Sequence, residues 1–185
     1  MKKTNIVIGI TGGIAAYKAC EIVSHYKHKG YNVDVIMTKN AVKFITPLTL
    51  ETLSGNKVVT DMFDRPDYRD VKHISLAQKA DLFIIAPATA NIIGKVANGI
   101  ADDMLSTTIM ATKAPVVFAP AMNNGMYENK IVQRNISTLE SFGYRFIEPD
   151  VGHLACGYEA KGRLASIEKI IEYIEKEIKL WKKLW

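Results

Sequence analysis

Three short stretches of this chain bring together groups able to act on a small molecule. Pro120-Ala-Met-Asn-Asn-Gly-Met126 supplies amides, Ala155-Cys-Gly157 a thiol, and Lys161-Gly-Arg163 two cations around a glycine. All three read as loops, the segments in which chemistry sits when a rigid scaffold holds them. Cys156, between an alanine and a glycine, is either an ordinary loop residue or an accessible thiol able to act as acid or nucleophile. Cys20 falls within a helical stretch and reads as a small buried hydrophobe. His73 precedes Ile74-Ser-Leu-Ala77. By itself it is compatible with a helix-terminal surface histidine or with a catalytic one, while His25 and His28 lie inside the first helix and read as surface groups. Taken with the three loops, His73 points to an enzyme. No two histidines have metal-ligand spacing, and two cysteines cannot build a four-thiolate site, so no metal is expected.

Other loops suggest what is bound. Gly9-Ile-Thr-Gly-Gly-Ile-Ala15 places glycines between a strand and a helix, which lets a ligand approach the backbone and meet the N–H groups of a helix start. The spacing is not Gly-x-Gly-x-x-Gly, and the Gly-Lys-Ser/Thr of a P-loop is missing. A dinucleotide fold also wants an acidic residue after the second strand to hold a ribose diol. Here that position reads Thr38-Lys-Asn40, donors suited to a terminal phosphate, so a mononucleotide such as FMN fits better than NAD. Ala86-Pro-Ala-Thr-Ala-Asn-Ile92 puts a hydroxyl and an amide at another strand's C-terminal end, where Thr89 serves as helix cap, ligand donor or both. Asn98-Gly-Ile-Ala-Asp-Asp103 reads as a turn that caps the next helix.

These loops need a scaffold, and the pattern supplies one. Thr4 to Ile10, Asn32 to Thr38, Asp81 to Ala86 and Val116 to Ala119 are short β-branched or apolar runs. Each is followed by a polar or glycine-containing loop and a helix-like segment, the first from Ala15 to Lys29 with a stop at Gly30. Such alternation predicts an α/β fold, a Rossmann-like (flavodoxin-like) parallel sheet with helices on both faces in three layers. Ser166 to Trp185 places isoleucines at three- and four-residue spacing and predicts an amphipathic helix. Asp61 to Asp70 is charged and proline-containing, a surface loop or a lid. With 185 residues, 48% of them hydrophobic, the chain suits one domain spanning 1–185. The formal charge of +5 is spread over scattered lysines without a nucleic-acid motif. No apolar run approaches the roughly 20 residues of a membrane span, and no cleavable apolar leader precedes the first strand, so a cytoplasmic location is expected.

Gly12-Gly-Ile-Ala-Ala-Tyr-Lys18, His73, Pro87-Ala-Thr-Ala-Asn91, Gly99-Ile-Ala-Asp-Asp103, Pro120-Ala-Met-Asn123 with Met126, and Ala155-Cys-Gly157 together resemble the flavin-dependent cysteine decarboxylases. Within them the resemblance is to the phosphopantothenoylcysteine decarboxylases that form the N-terminal half of bifunctional coenzyme A biosynthesis proteins. It covers nearly the whole chain. Ile92 stands where threonine is frequent in the family, and Tyr127 where tryptophan is. The resemblance implies FMN as cofactor and 4'-phosphopantothenoylcysteine as substrate, decarboxylated to 4'-phosphopantetheine by thiol oxidation, loss of CO2 and re-reduction of an enethiolate. It further implies Cys156 as proton donor, His73 as base or substrate-orienting group and Asn123 as holder of the substrate carboxylate. Gly13 and Thr38 would lie near the flavin phosphate, and Ala88, Thr89 and Asn91 near its ring or ribityl chain. A homo-oligomer, trimer or dodecamer, and a fused or separate phosphopantothenate-cysteine ligase belong to the same implication. Related alternatives are a flavin prenyltransferase, a peptidyl-cysteine decarboxylase and a non-catalytic regulatory flavoprotein.

Overall fold

The strands are buried from both sides, and their composition says why. β1 (Asn5–Ile10), β2 (Asn32–Met37), β3 (Leu82–Ala88) and β4 (Val116–Pro120) are continuous apolar runs, the signature of a sheet covered on both faces rather than on one. In this computed structural model, which describes residues 3–63, 71–153, 157 and 159–181, they join the short β5 (Arg145–Phe146) in one parallel sheet of order β2-β1-β3-β4-β5. That is the flavodoxin-like order expected of the alternating pattern.

Successive residues of a strand point to opposite faces, so each strand feeds two cores. Ile6, Ile8 and Ile10 face one side, where they meet Ile22, Val23 and Tyr26 of α1 (Ala19–His28), Leu50 of α2 (Pro47–Ser54) and Ile170, Ile174 and Ile178 of α8 (Ile167–Trp181). Val7 faces the other side with Phe83, Ile85 and Phe118. Over that face lie α3 (Lys72–Lys79), α4 (Ala90–Ala97), α5 (Met104–Ala111) and α7 (Lys130–Ser141). α5 comes close to the sheet because Gly9 has no side chain; a Cβ there would sit 2.5 Å from Leu105 Cδ1.

Three expectations need correction. The stretch after Gly13 begins as a 3-10 turn, Ile14–Lys18, before it relaxes into α1. Lys161-Gly-Arg163 is strand rather than loop: β6 (Asp150–His153) and β7 (Glu159–Arg163) form an antiparallel hairpin. Its glycines and charges hide the strand signal, because the pair projects from the main sheet and has no alternating apolar face to advertise. Pro120 to Met126 likewise turns into a single helical turn, α6 (Asn124–Tyr127). Of the charged stretch, Asp61 to Phe63 is described, with Met62 packed on the second core and Phe63 80% exposed, and 64–70 lie outside the described residues.

Candidate functional site

A cleft of about 1090 Å³ opens where the loops leaving β1 and β3 part to opposite faces of the sheet. This is the switch point at which open α/β sheets take ligands. Its floor is built around Thr11, a buried residue that sequence reasoning passed over as part of a glycine loop. The Thr11 hydroxyl donates to the Pro87 carbonyl at 2.7 Å and accepts from the Thr89 N–H at 3.1 Å, tying the first loop to the third. Gly12 lets the second loop close over the first, since a Cβ on it would collide with Asn40. Beside it a Cβ on Gly13 would meet nothing nearer than Thr89 Cγ2 at 3.7 Å, so the backbone there faces the cleft. Thr38 lines the same wall, its hydroxyl accepting from the Ala41 N–H at 3.3 Å.

α4 forms the opposite wall. Thr89 is its N-cap residue, yet the hydroxyl makes no capping bond and lies on the cleft. Asn91 and Lys95, one helical turn apart, share that side. Lys95 was not anticipated. Its ammonium donates to Asp102 at 2.6 Å and Asp103 at 2.7 Å. Burial by itself would lower the Lys95 pKa, but these hydrogen bonds outweigh it and hold the group above its ordinary value. Burial would likewise raise the Asp103 carboxyl, and the bonds from Lys95 and Ser106 hold it below the usual range instead. Asp103 also forms a reciprocal capping box with Ser106 at the start of α5, as the Gly99 turn and Asp-Asp pair predicted. Ala88 is not among the lining residues. Its side chain is fully buried at the end of β3, and its carbonyl accepts from the Ala121 N–H at 3.0 Å, so it supports the cleft from beneath and does not line it.

The third side carries Ala121, Met122, Asn123 and Met126 together with Gly162, Arg163 and Leu164. Asn123 caps α6, its side-chain oxygen accepting from the Gly125 N–H at 2.9 Å. Gly162 brings the hairpin onto this segment: its carbonyl accepts from the Met122 N–H at 2.9 Å, and its φ of +143° suits glycine alone. A Cβ there would run into the Met122 carbonyl. Lys161 stands 5.7 Å from the ring centre of Tyr127, a second tie.

Gly13, Thr38, Thr89, Asn91 and Asn123 therefore meet on one cleft although they come from four separate loops. His73, in the first turn of α3, is not among the residues lining the cleft of its own chain. Cys156 lies outside the described residues; β7, which follows it in the sequence, lines the cleft through Gly162 and Arg163. Among the described lining residues the sole carboxylate is Asp103, which Lys95 neutralises, while Lys18, Lys39 and Arg163 leave the cleft cationic. No cluster of metal-ligating side chains occurs among the described residues, and none of their helices is long and apolar enough to cross a membrane.

A glycine cradle, neutral donors and a cationic rim, with no carboxylate for a ribose diol, is a donor set for a phosphorylated mononucleotide. The Flavoprotein family model matches residues 1–179. The chain belongs to the Flavoprotein family. Among members with curated names, the coenzyme A biosynthesis bifunctional protein CoaBC of Bacillus subtilis is 52% identical over 176 residues, which are 95% of this chain and 43% of that protein. The chain thus spans less than half the length of this relative. A probable phosphopantothenoylcysteine decarboxylase of Streptococcus mutans is 43% identical over 175 residues, 94% of this chain and 98% of that one. Of solved structures, the FMN-dependent cysteine decarboxylase SpaF superposes with a TM-score of 0.84 at 29% identity, over 97% of each chain.

Proposed function

We propose that this chain is an FMN-dependent carboxy-lyase that converts 4'-phosphopantothenoylcysteine to 4'-phosphopantetheine and CO2 in coenzyme A biosynthesis. The observation that carries this reading is the convergence on one cleft of the neutral phosphate-type loops, the Pro-Ala-Met-Asn segment and the end of β7 at Gly162 and Arg163. The named relatives of similar sequence support it.

The residues present fit FMN. Gly13 and Thr38 would hold its phosphate, with Thr89 and Asn91 along the ribityl chain and ring; the open backbone at Gly13 and the uncommitted Thr89 hydroxyl suit those roles. When bound, the flavin supplies a two-electron acceptor and donor, which makes the thiol-bearing carbon an electron sink for decarboxylation. The chain's own groups do the rest. Asn123, fixed at the N-cap of α6, would hold the substrate carboxylate through neutral hydrogen bonds. Cys156 would deliver the proton that completes the saturated thiol product.

His73 would act as base or orient the substrate. Its position off the cleft of its own chain supports a homo-oligomer, trimer or dodecamer, in which a neighbouring copy supplies it. The exposed Ile14 and Tyr17 at the cleft mouth are consistent with such a contact. Light scattering is expected to give a multiple of the 20.6 kDa chain mass, and a flavin-loaded monomer would count against it. A phosphopantothenate-cysteine ligase, fused or separate, would supply the substrate.

The test is mass spectrometry of the flavin-loaded protein incubated with 4'-phosphopantothenoylcysteine. Appearance of 4'-phosphopantetheine supports the reading, and unchanged substrate with FMN bound removes it. Cys156→Ser is expected to release CO2 yet accumulate the unsaturated enethiol. Complete conversion to the saturated thiol by that variant would take the proton-donor role away from Cys156.

A further inference from the structure

Arg163 occupies an unusual position among the cations of the cleft. It sits on β7 between Gly162, which holds Met122, and the buried Leu164, and its side chain runs along the hairpin across Gly152. A Cβ built on Gly152 would lie 3.0 Å from Arg163 Nη1 and 3.1 Å from Cδ. The side chain therefore lies over the bare backbone at Gly152, a path that a larger residue there would obstruct.

Its charge acts on the Asp150 carboxylate without a hydrogen bond or ion-pair contact to it. The carboxylate paired with it in register, Asp150, is already taken by the Lys169 ammonium at 2.8 Å and the Ser166 N–H at 2.7 Å. No side-chain hydrogen bond or ion pair joins Arg163 to another described residue. The neighbouring cations are occupied or elsewhere. Lys95 is bound to Asp102 and Asp103, and Lys161 to Glu148 at 3.3 Å. Lys18 and Lys39 belong to the first and second loops, on the side assigned to the cofactor phosphate.

We infer that Arg163 selects the phosphorylated substrate by pairing with its 4'-phosphate. The inference rests on the decarboxylase reading above. With the cofactor phosphate on the first two loops and the reacting carboxylate at Asn123, the distal phosphate is the one anion left, and the hairpin side of the cleft offers this one fork. Guanidinium geometry suits it, because two parallel N–H donors match two phosphate oxygens.

The experiment compares kcat/KM of the flavin-loaded protein for 4'-phosphopantothenoylcysteine and for pantothenoylcysteine, in wild type, Arg163→Gln and Arg163→Lys. Arg163→Gln is expected to lower the value for the phosphorylated substrate by roughly 10–100-fold while leaving the other within about twofold. Arg163→Lys, which keeps the charge and loses the fork, is expected to fall between the two. Equal losses on both substrates would assign Arg163 to the carboxylate or to hairpin structure and overturn the inference. So would an unaffected variant, or a wild type indifferent to the phosphate. A wild type that turns over neither substrate removes the decarboxylase reading itself and is told apart from the other outcomes by that fact.

Discussion

A single hydroxyl, that of Thr11, joins the loops that leave β1 and β3 through a buried bond to the Pro87 carbonyl and a partly buried one from the Thr89 N–H. Thr11→Val keeps the shape but strands the Pro87 carbonyl and the Thr89 N–H. Each buried group left unpaired costs about 1–3 kcal/mol, so a loss of roughly 2–4 kcal/mol in urea unfolding is expected, with weaker FMN binding as Thr89 drifts. Thr11→Ser, which restores the oxygen, is expected to recover most of both. A Thr11→Val protein with wild-type stability and flavin affinity would show that the loops are held by something else. Gly13, Thr38, Thr89, Asn91 and Asn123 were legible as donors at strand ends because their types announce chemistry. Thr11 was not, since its role is set by a carbonyl 76 positions and an N–H 78 positions away in sequence.

Two elements do the positioning, and each carries a test. α5 begins at Asp103, whose carboxylate serves Ser106 and Lys95 together. Its folded-state pKa is depressed, so its stabilisation is complete above the ordinary carboxylate value near 3.9 and is lost as pH falls through the lower folded value. The Asp103→Asn variant is therefore expected to be less stable than wild type at neutral pH, with the gap closing as acid protonates the wild-type carboxylate. A gap of constant size across that range would rule out the ionised pair as its source. The second element is the hairpin. Gly162→Ala strains a φ of +143° and pushes against the Met122 carbonyl, so it is expected to cut kcat/KM by about tenfold or more through hairpin displacement. Because β6 and β7 lie outside the main sheet, its thermal midpoint should change little. Normal turnover in that variant would mean the hairpin does not hold the substrate side.

At the scale of the molecule, one sheet separates two apolar cores, and the cleft exists only where the loops above it are folded. FMN should therefore bind the native state alone and raise the thermal midpoint with concentration. At about 100 times its dissociation constant it is expected to add roughly 2.7 kcal/mol. A midpoint indifferent to FMN would place the cofactor away from this cleft. The amphipathic α8 closes the first core with Ile170, Ile174 and Ile178 and is fastened to β5 by Glu177, 7% exposed and paired with Arg145 at 2.7 Å.

What the sequence determined by itself was local. Continuous β-branched runs followed by glycine turns and helical periods are decided by burial and backbone preference within a few residues, so the layered sheet, the amphipathic α8 and the residue types on the loops could all be read from it. Three-dimensional packing decided the remainder. That Thr11 would bond Pro87 and Thr89, that Lys95 would silence Asp103, that Ala88 would lie beneath the cleft and His73 off its own chain's cleft depended on distances between segments far apart in the chain. The hairpin escaped notice for the same reason. Its strands are held by each other and by Met122, and a strand whose support comes from a distant backbone leaves no period in its own residues.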